Sequence, residues 1–139
     1  MNESDILRIA AFSDGDQGGN PAGVWIGEAL PPASEMQMLA HAIGFSETVF
    51  AAPQLAGSTA AWRVRYFSPE SEVPFCGHAT IALGAALARR FGDGRYELVL
   101  NAATISVEGR VEGARVAASL QSPPTRSSPA PAALVDAAL

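Results

Sequence analysis

The stretch from Phe67 to Phe91, FSPESEVPFCGHATIALGAALARRF, decides the fold. It divides at Cys76-Gly77-His78. Before that point, the polar turn residues Ser68 to Glu72 lead into Val73-Pro74-Phe75. After it, Ala79 to Phe91 reads as a helix in which Ile81, Ala82, Leu83, Ala85, Ala86, Leu87 and Ala88 leave almost no polar face. A helix that is apolar all round is a buried helix. At about 1.5 Å per residue the helix is roughly 20 Å long, enough to thread a small domain. Arg89 and Arg90 fall in its last turn, where cations suit the negative end of the helix dipole, and Gly92 supplies the stop. The other end gathers a thiol (Cys76), an imidazole (His78) and a hydroxyl (Thr80) around Gly77, whose missing side chain lets a ligand approach the backbone. Free N–H groups and the positive end of the dipole there suit a carboxylate or phosphate. Two readings of this end stand: a ligand site at the helix mouth, or a core helix whose His78 caps or packs.

Composition narrows the function classes. A chain of 139 residues points to one domain that buries roughly two-thirds of its unfolded surface. Hydrophobic residues make up 48% and charged residues 17%, a globular rather than a disordered balance. The net charge is −5 and no basic cluster is present, so nucleic acid is not an expected partner. Every cation is arginine; the absence of lysine removes Schiff-base and P-loop chemistry. Cys76 is the single cysteine, so no internal disulfide forms, and no Cys/His cluster has zinc spacing; no metal site is expected. Asp14 and Asp16 could begin a calcium loop, but Trp25 stands where such a loop needs its glutamate. The start, MNESDILRIAAF, lacks the pattern of a signal peptide, and no apolar stretch reaches the ~18 residues of a membrane span. The expectation is a cytoplasmic protein without a membrane partner.

Around the central helix the chain reads as strands and one further helix. Ile6 to Phe12 forms a first strand, Ser13 to Asn20 is turn chemistry, and Gly23 to Gly27 forms a second strand. Asn20 is either a turn residue or an amide pointing into a site. Pro31 and Pro32 announce a helix with Ser34 and Gln37 in capping-box spacing, or with Pro32 as its first residue. Met36, Leu39, Ala40 and Ile43 form its buried stripe, His41 lies off the stripe, and Gly44 ends it. Phe45-Ser46-Glu47-Thr48 then enters a third strand, Val49 to Ala52. Glu47 is a carboxylate between a helix stop and an apolar strand, where partial burial would raise its pKa toward the range useful for acid–base work; the alternative is a solvated strand start. Trp62, Val64 and Tyr66 alternate with Arg63 and Arg65, apolar side in and arginines on a solvated face. Strands follow at Arg95 to Leu100, around Ile105, Val107 and Val111, and, after a turn at Glu112-Gly113, around Val116, Ala118 and Leu120. Residues 122–139 read as a Pro/Ser linker followed, from Ala132, by the opening turns of a helix.

Four segments, in this order, carry a resemblance: Gly19-Asn20-Pro21-Ala22; Ser46-Glu47-Thr48-Val49-Phe50; Arg65-Tyr66-Phe67-Ser68-Pro69 with Glu72; and Gly77-His78-Ala79-Thr80. The chain resembles the N-terminal half of the phenazine-biosynthesis isomerase (PhzF-like) family, within the diaminopimelate epimerase-like fold. Ala79 stands where the family often has proline, a change that leaves the first helical turn possible. The resemblance implies an α+β domain, residues 1–121, with a barrel-like mixed sheet wrapped around the central helix Ala79 to Phe91, and residues 122–139 leading to a second domain. It places the family's acid–base glutamate on Glu47 and the histidine of its Gly-His motif on His78. Asn20, Ser46, Gly77, Ala79 and Thr80 would hold a small carboxylate metabolite. The type member of the family moves a proton on a dihydro-hydroxyanthranilate with no cofactor. Family members carry two such domains facing a cleft, and this chain is about half as long, so a homodimer or a separate C-terminal-half chain is the expected partner. Three readings follow: an isomerase using Glu47; a racemase or epimerase using Cys76 as a thiol base, against which stands a small buried cysteine and the lack of a second thiol; and a non-catalytic interaction module.

Overall fold

The computed structural model describes residues 5–12, 21–55, 57–112, 115–121 and 132–136. Its strands are β1 (Leu7–Phe12), β2 (Pro21–Ile26), β3 (Thr48–Pro53), β4 (Ala61–Phe67), β5 (Glu72–Val73), β6 (Gly94–Val99), β7 (Thr104–Glu112), β8 (Arg115–Gln121) and β9 (Ala132–Asp136). The helices are α1 (Ala33–Ile43) and α2 (Gly77–Phe91). The strands pair in the order β3-β2-β1-β9-β8-β7-β6-β4, and β4 returns to β3, so the pairings curl the sheet into a ring. Most contacts are antiparallel; β2–β3 and β4–β6 are parallel, each joined through a helix. The short strand β5 hangs on the end of β4, pairing Tyr66 with Val73 and Phe67 with Glu72.

Helix α2 runs inside this ring, as its apolar sequence requires. Ala79 through Ala88 are buried without interruption. Inner-facing residues of the strands, among them Val24, Val49, Val64, Tyr66, Leu98 and Val107, form one cluster with Leu83 and Leu87. Burying one such large apolar side chain is worth about 1.5–3 kcal/mol, which makes this interior the main source of stability. The helix lies so close to β7 that glycine is required on both sides. A Cβ on Gly109 would stand 2.6 Å from the Gly84 carbonyl oxygen, and one on Gly84 would stand 2.5 Å from a Val107 methyl. The C-terminal end is fixed by the Tyr96 hydroxyl, which donates to the Gly92 carbonyl at 2.6 Å.

Helix α1 covers the outer face of the sheet. Met36, Leu39 and Ala40 pack with Trp25, Phe50 and Phe67 in a second cluster, while Ile43 is only half-buried. Pro32 occupies the N-cap without a side-chain capping bond, so Ser34 and Gln37 do not form the expected capping box. Gln37 instead donates its amide to the Ser68 and Pro69 carbonyls, at 3.0 and 3.2 Å. Gly44 closes α1 in the left-handed conformation at φ 78°, with its N–H on the Ala40 carbonyl.

Two further expectations are corrected. Residues 132–136 form strand β9, hydrogen-bonded between β1 and β8 in the same sheet, rather than the first turns of a helix in a second domain. The pairing partners on both sides override the helical preference of an alanine-rich segment. The arginines of β4 are not a solvated face. Both are half-buried, Arg65 in a bidentate pair with Glu72 and Arg63 donating to the Val64 and Val99 carbonyls and to Asn101. The Ser13–Asn20 turn, Gly113 and the Pro/Ser linker lie outside the described residues.

Candidate active site

The fold brings the start of β3 to the mouth of α2. After the glycine stop at Gly44, Phe45 and the exposed Ser46 reverse the chain, and the Gly23 N–H of β2 donates to the Glu47 carbonyl at 3.1 Å. Strand side chains alternate between faces. Val49 and Ala51 belong to the cluster inside the ring, so Glu47, two residues before Val49, stands at the inner edge, at the end where α2 begins. Its Oε2 is buried and has no hydrogen-bond partner. Burial pushes the Glu47 carboxyl above its ordinary value of 4.5, and the charge of His78 works in the opposite direction. Residues separated in sequence by the whole of β3, β4 and β5 therefore face each other electrostatically.

Cys76 is the N-cap of α2, in extended conformation, and it is half-buried like Gly77 and His78. Burial raises its thiol pKa; a hydrogen bond from the Ala79 N–H lowers it; the Glu47 carboxylate raises it again; and the His78 N–H lowers it. The net direction is up, away from the thiolate that a base would need. Ala79 and Thr80 are fully buried. The Thr80 hydroxyl lies 2.6 Å from the Tyr66 hydroxyl and donates to the Cys76 carbonyl at 2.8 Å, and the Thr80 N–H bonds the same carbonyl. Thr80 is therefore engaged inside the protein rather than offered to a ligand.

The structure thus gathers Glu47, Cys76, Gly77 and His78 at one end of the ring, with Ser46 exposed on the adjoining loop. Asn20 lies outside the described residues. His41 is remote from this group: its ring contacts the Pro69 carbonyl at 3.2 Å and Glu70 at 3.7 Å on the outer surface. Tyr66 was read only as a core residue in the sequence; its place on the inner face of β4 was legible from alternation, but its hydroxyl partner, fourteen positions on, was not. Among the described residues no group of three or more His, Cys, Asp or Glu could hold a metal ion. None of the described helices is long and apolar enough to cross a membrane. The chemistry on offer is a partly buried carboxyl beside an imidazole and a helix N-terminus, suited to holding an anion while a proton moves.

Known proteins resemble this chain in sequence and fold. The family model for PhzC-PhzF, phenazine biosynthesis-like protein, matches residues 9–138. The chain belongs to the PhzC/PhzF family. Relatives in the family include the uncharacterized isomerase YfhB of Bacillus subtilis, 38% identical over 65% of this chain and 30% of that protein. An uncharacterized isomerase of Deinococcus radiodurans is 44% identical over 59% of this chain and 26% of its own length. Among solved structures, a predicted epimerase of Pseudomonas aeruginosa superposes with a TM-score of 0.72 at 24% identity, covering 83% of this chain and 41% of that one. A PhzF-family protein of Bacillus anthracis gives 0.66 at 28% identity, covering 83% and 39%. The chain therefore spans well under two-thirds of the length of these relatives, and the likeness establishes the α+β, epimerase-like barrel around a central helix.

Proposed function

We propose that this PhzC/PhzF-family chain forms one wall of a cofactor-independent isomerase site that moves a carbon-bound proton on a small carboxylate metabolite, with Glu47 as the general acid and base. The observation that carries the reading is the buried, unpartnered Oε2 of Glu47 at the end of the ring where α2 begins. A buried acceptor without a donor is costly in a structure that needs it only for stability, and it is ready for a proton carried by substrate carbon. Its raised pKa moves it toward the range in which it can both take and return a proton near neutral pH. His78 and the positive end of the α2 dipole would bind the substrate carboxylate and the charge that develops beside it. The raised pKa of Cys76 favours the glutamate over the thiol for the proton transfer.

The opposite wall of the cleft would come from a second copy of this chain or from a C-terminal-half polypeptide. Phe75, which follows β5 and precedes the mouth, is 43% exposed and would border that contact. The phenazine precursor, a dihydro-hydroxyanthranilate, is the first substrate to try. The test is incorporation of solvent deuterium at substrate carbon. Glu47→Gln keeps the shape of the side chain and should slow exchange by about 100-fold or more, the usual contribution of a positioned acid–base group. Exchange at the parent rate in Glu47→Gln removes the glutamate from the mechanism.

A further inference from the structure

Strand β4 reaches the helix mouth from both of its faces. Successive strand residues point to opposite sides of a sheet, and Arg65 and Tyr66 are successive. On the outer face, Arg65 donates through Nε and Nη2 to the two carboxylate oxygens of Glu72, at 2.8 and 2.7 Å. Asn101 Nδ2 adds a third bond to Glu72, at 2.8 Å. The fork geometry is one that only arginine supplies. On the inner face, Tyr66 is 1% exposed and meets Thr80. A threonine hydroxyl has one proton, and that of Thr80 is committed to the Cys76 carbonyl, so the Tyr66 O–H must be the donor to Thr80. The result is a directed chain, Tyr66 to Thr80 to the Cys76 carbonyl. Between Glu72 and Thr80 lie Cys76, Gly77 and His78.

We infer that β4 sets the position of the helix mouth, holding segment 72–80 at its two ends through Arg65 on Glu72 outside the barrel and Tyr66 on Thr80 inside it. Both grips are in their holding state at neutral pH. Burial keeps the Tyr66 phenol protonated above its ordinary value of 10.0, and the Arg65 guanidinium holds Glu72 ionised below its ordinary 4.5. Arg65 and Tyr66 are positioning residues. Their importance to catalysis rests on the reading of the mouth as the reacting end, but the grip itself can be read without turnover.

Cys76 is the single cysteine of the sequence, so its alkylation by iodoacetamide reports the mouth directly. Tyr66→Phe and Thr80→Val should each speed alkylation about fivefold, the effect of losing one buried hydrogen bond, whereas Thr80→Ser, which keeps the hydroxyl, should stay within about twofold of the parent. Glu72→Gln, which loosens the outer grip while leaving its shape, should also speed it. Equal rates in Thr80→Val and Thr80→Ser, or a parent-like rate in Tyr66→Phe, overturn the inference. Should Thr80→Val fail to fold, Tyr66→Phe decides alone, because phenylalanine fills the same space. Deuterium exchange on the same proteins separates the two claims. Altered alkylation with no exchange even in the parent leaves the grip standing and removes the proposed reaction. Intact parent exchange with unaltered alkylation in every variant does the reverse.

Discussion

Replacing Gly109 with alanine adds one methyl group where strand β7 meets the backbone of α2. The glycine does not sit at a positive φ, so alanine can adopt its backbone conformation and the effect isolates packing. The new Cβ would lie 2.6 Å from the Gly84 carbonyl oxygen and 2.8 Å from the Ala88 Cβ, where unstrained carbon contacts need about 3.5 Å or more. The obstacle is helix backbone rather than the end of a flexible side chain, so α2 or β7 must shift by roughly half an ångström or more. Inserting a methyl into a filled core costs about 1–3 kcal/mol, against which the reduced freedom of the unfolded chain returns about 0.4–1 kcal/mol. A net loss of about 1–2 kcal/mol follows, and for a domain of this size it lowers Tm by roughly 4–10 °C. The assay is thermal unfolding followed by circular dichroism, with parent and variant scanned at the same concentration and rate. A Gly109→Ala variant that melts within about 1 °C of the parent would refute the claim that helix and sheet touch backbone to backbone there.

Gly44→Ala tests conformation where Gly109→Ala tests contact: nothing lies within 4 Å of the site of its Cβ, but φ is 78°, so a loss of about 1 kcal/mol in chemical denaturation is expected from strain alone. For Glu47 the sign of the pH effect is fixed by its raised pKa: the native state holds its proton more tightly than the unfolded chain, so the charged carboxyl destabilises the fold as pH rises above 4.5, and the effect vanishes below it. Glu47→Gln should therefore raise Tm at about pH 7 and leave it unchanged at about pH 4, and a lower Tm at pH 7 would count against the buried, unpartnered oxygen. Cys76→Ala should keep deuterium exchange within about tenfold of the parent, whereas a loss of about 1,000-fold with an intact circular dichroism spectrum would transfer the proton step to the thiol.

The central helix was legible because nothing about it depends on distant sequence: Ala79 to Ala88 offer no face to water, and burial follows. The α+β class followed from the order of strand and helix patterns along the chain, and the barrel-like sheet from the resemblance that four separate segments carry. The partial burial of Glu47 was one of two readings its position between Gly44 and Val49 allowed, and its proximity to His78 was not legible locally, since only ring closure brings those residues together. Local reading failed where a partner lay far along the chain. Ala132-Ala133-Leu134-Val135 has good helix formers, and only the edges of β1 and β8 make it a strand. Arg63 and Arg65 look solvated beside their apolar neighbours until Glu72 and Asn101 arrive to bind them. Ser34 and Gln37 match a capping pattern, but the Ser68–Pro69 turn offers Gln37 two carbonyls, and it takes those.

The seat of β9 has a consequence for how the chain acquires its structure. Ala10 pairs with Asp136, and Asp136 also pairs with Arg115, so one seam of the ring joins segments from opposite ends of the described sequence. The meander of β6, β7 and β8 needs only short-range encounters and can form early, whereas this seam must wait for the widest loop in the domain to close. Emerging from the ribosome, the chain would hold β1 and β8 as open edges until residues 132–136 appear, and open edges pair with whatever strand is nearest. Closure by β9 would thus be the step at which intramolecular pairing competes with aggregation.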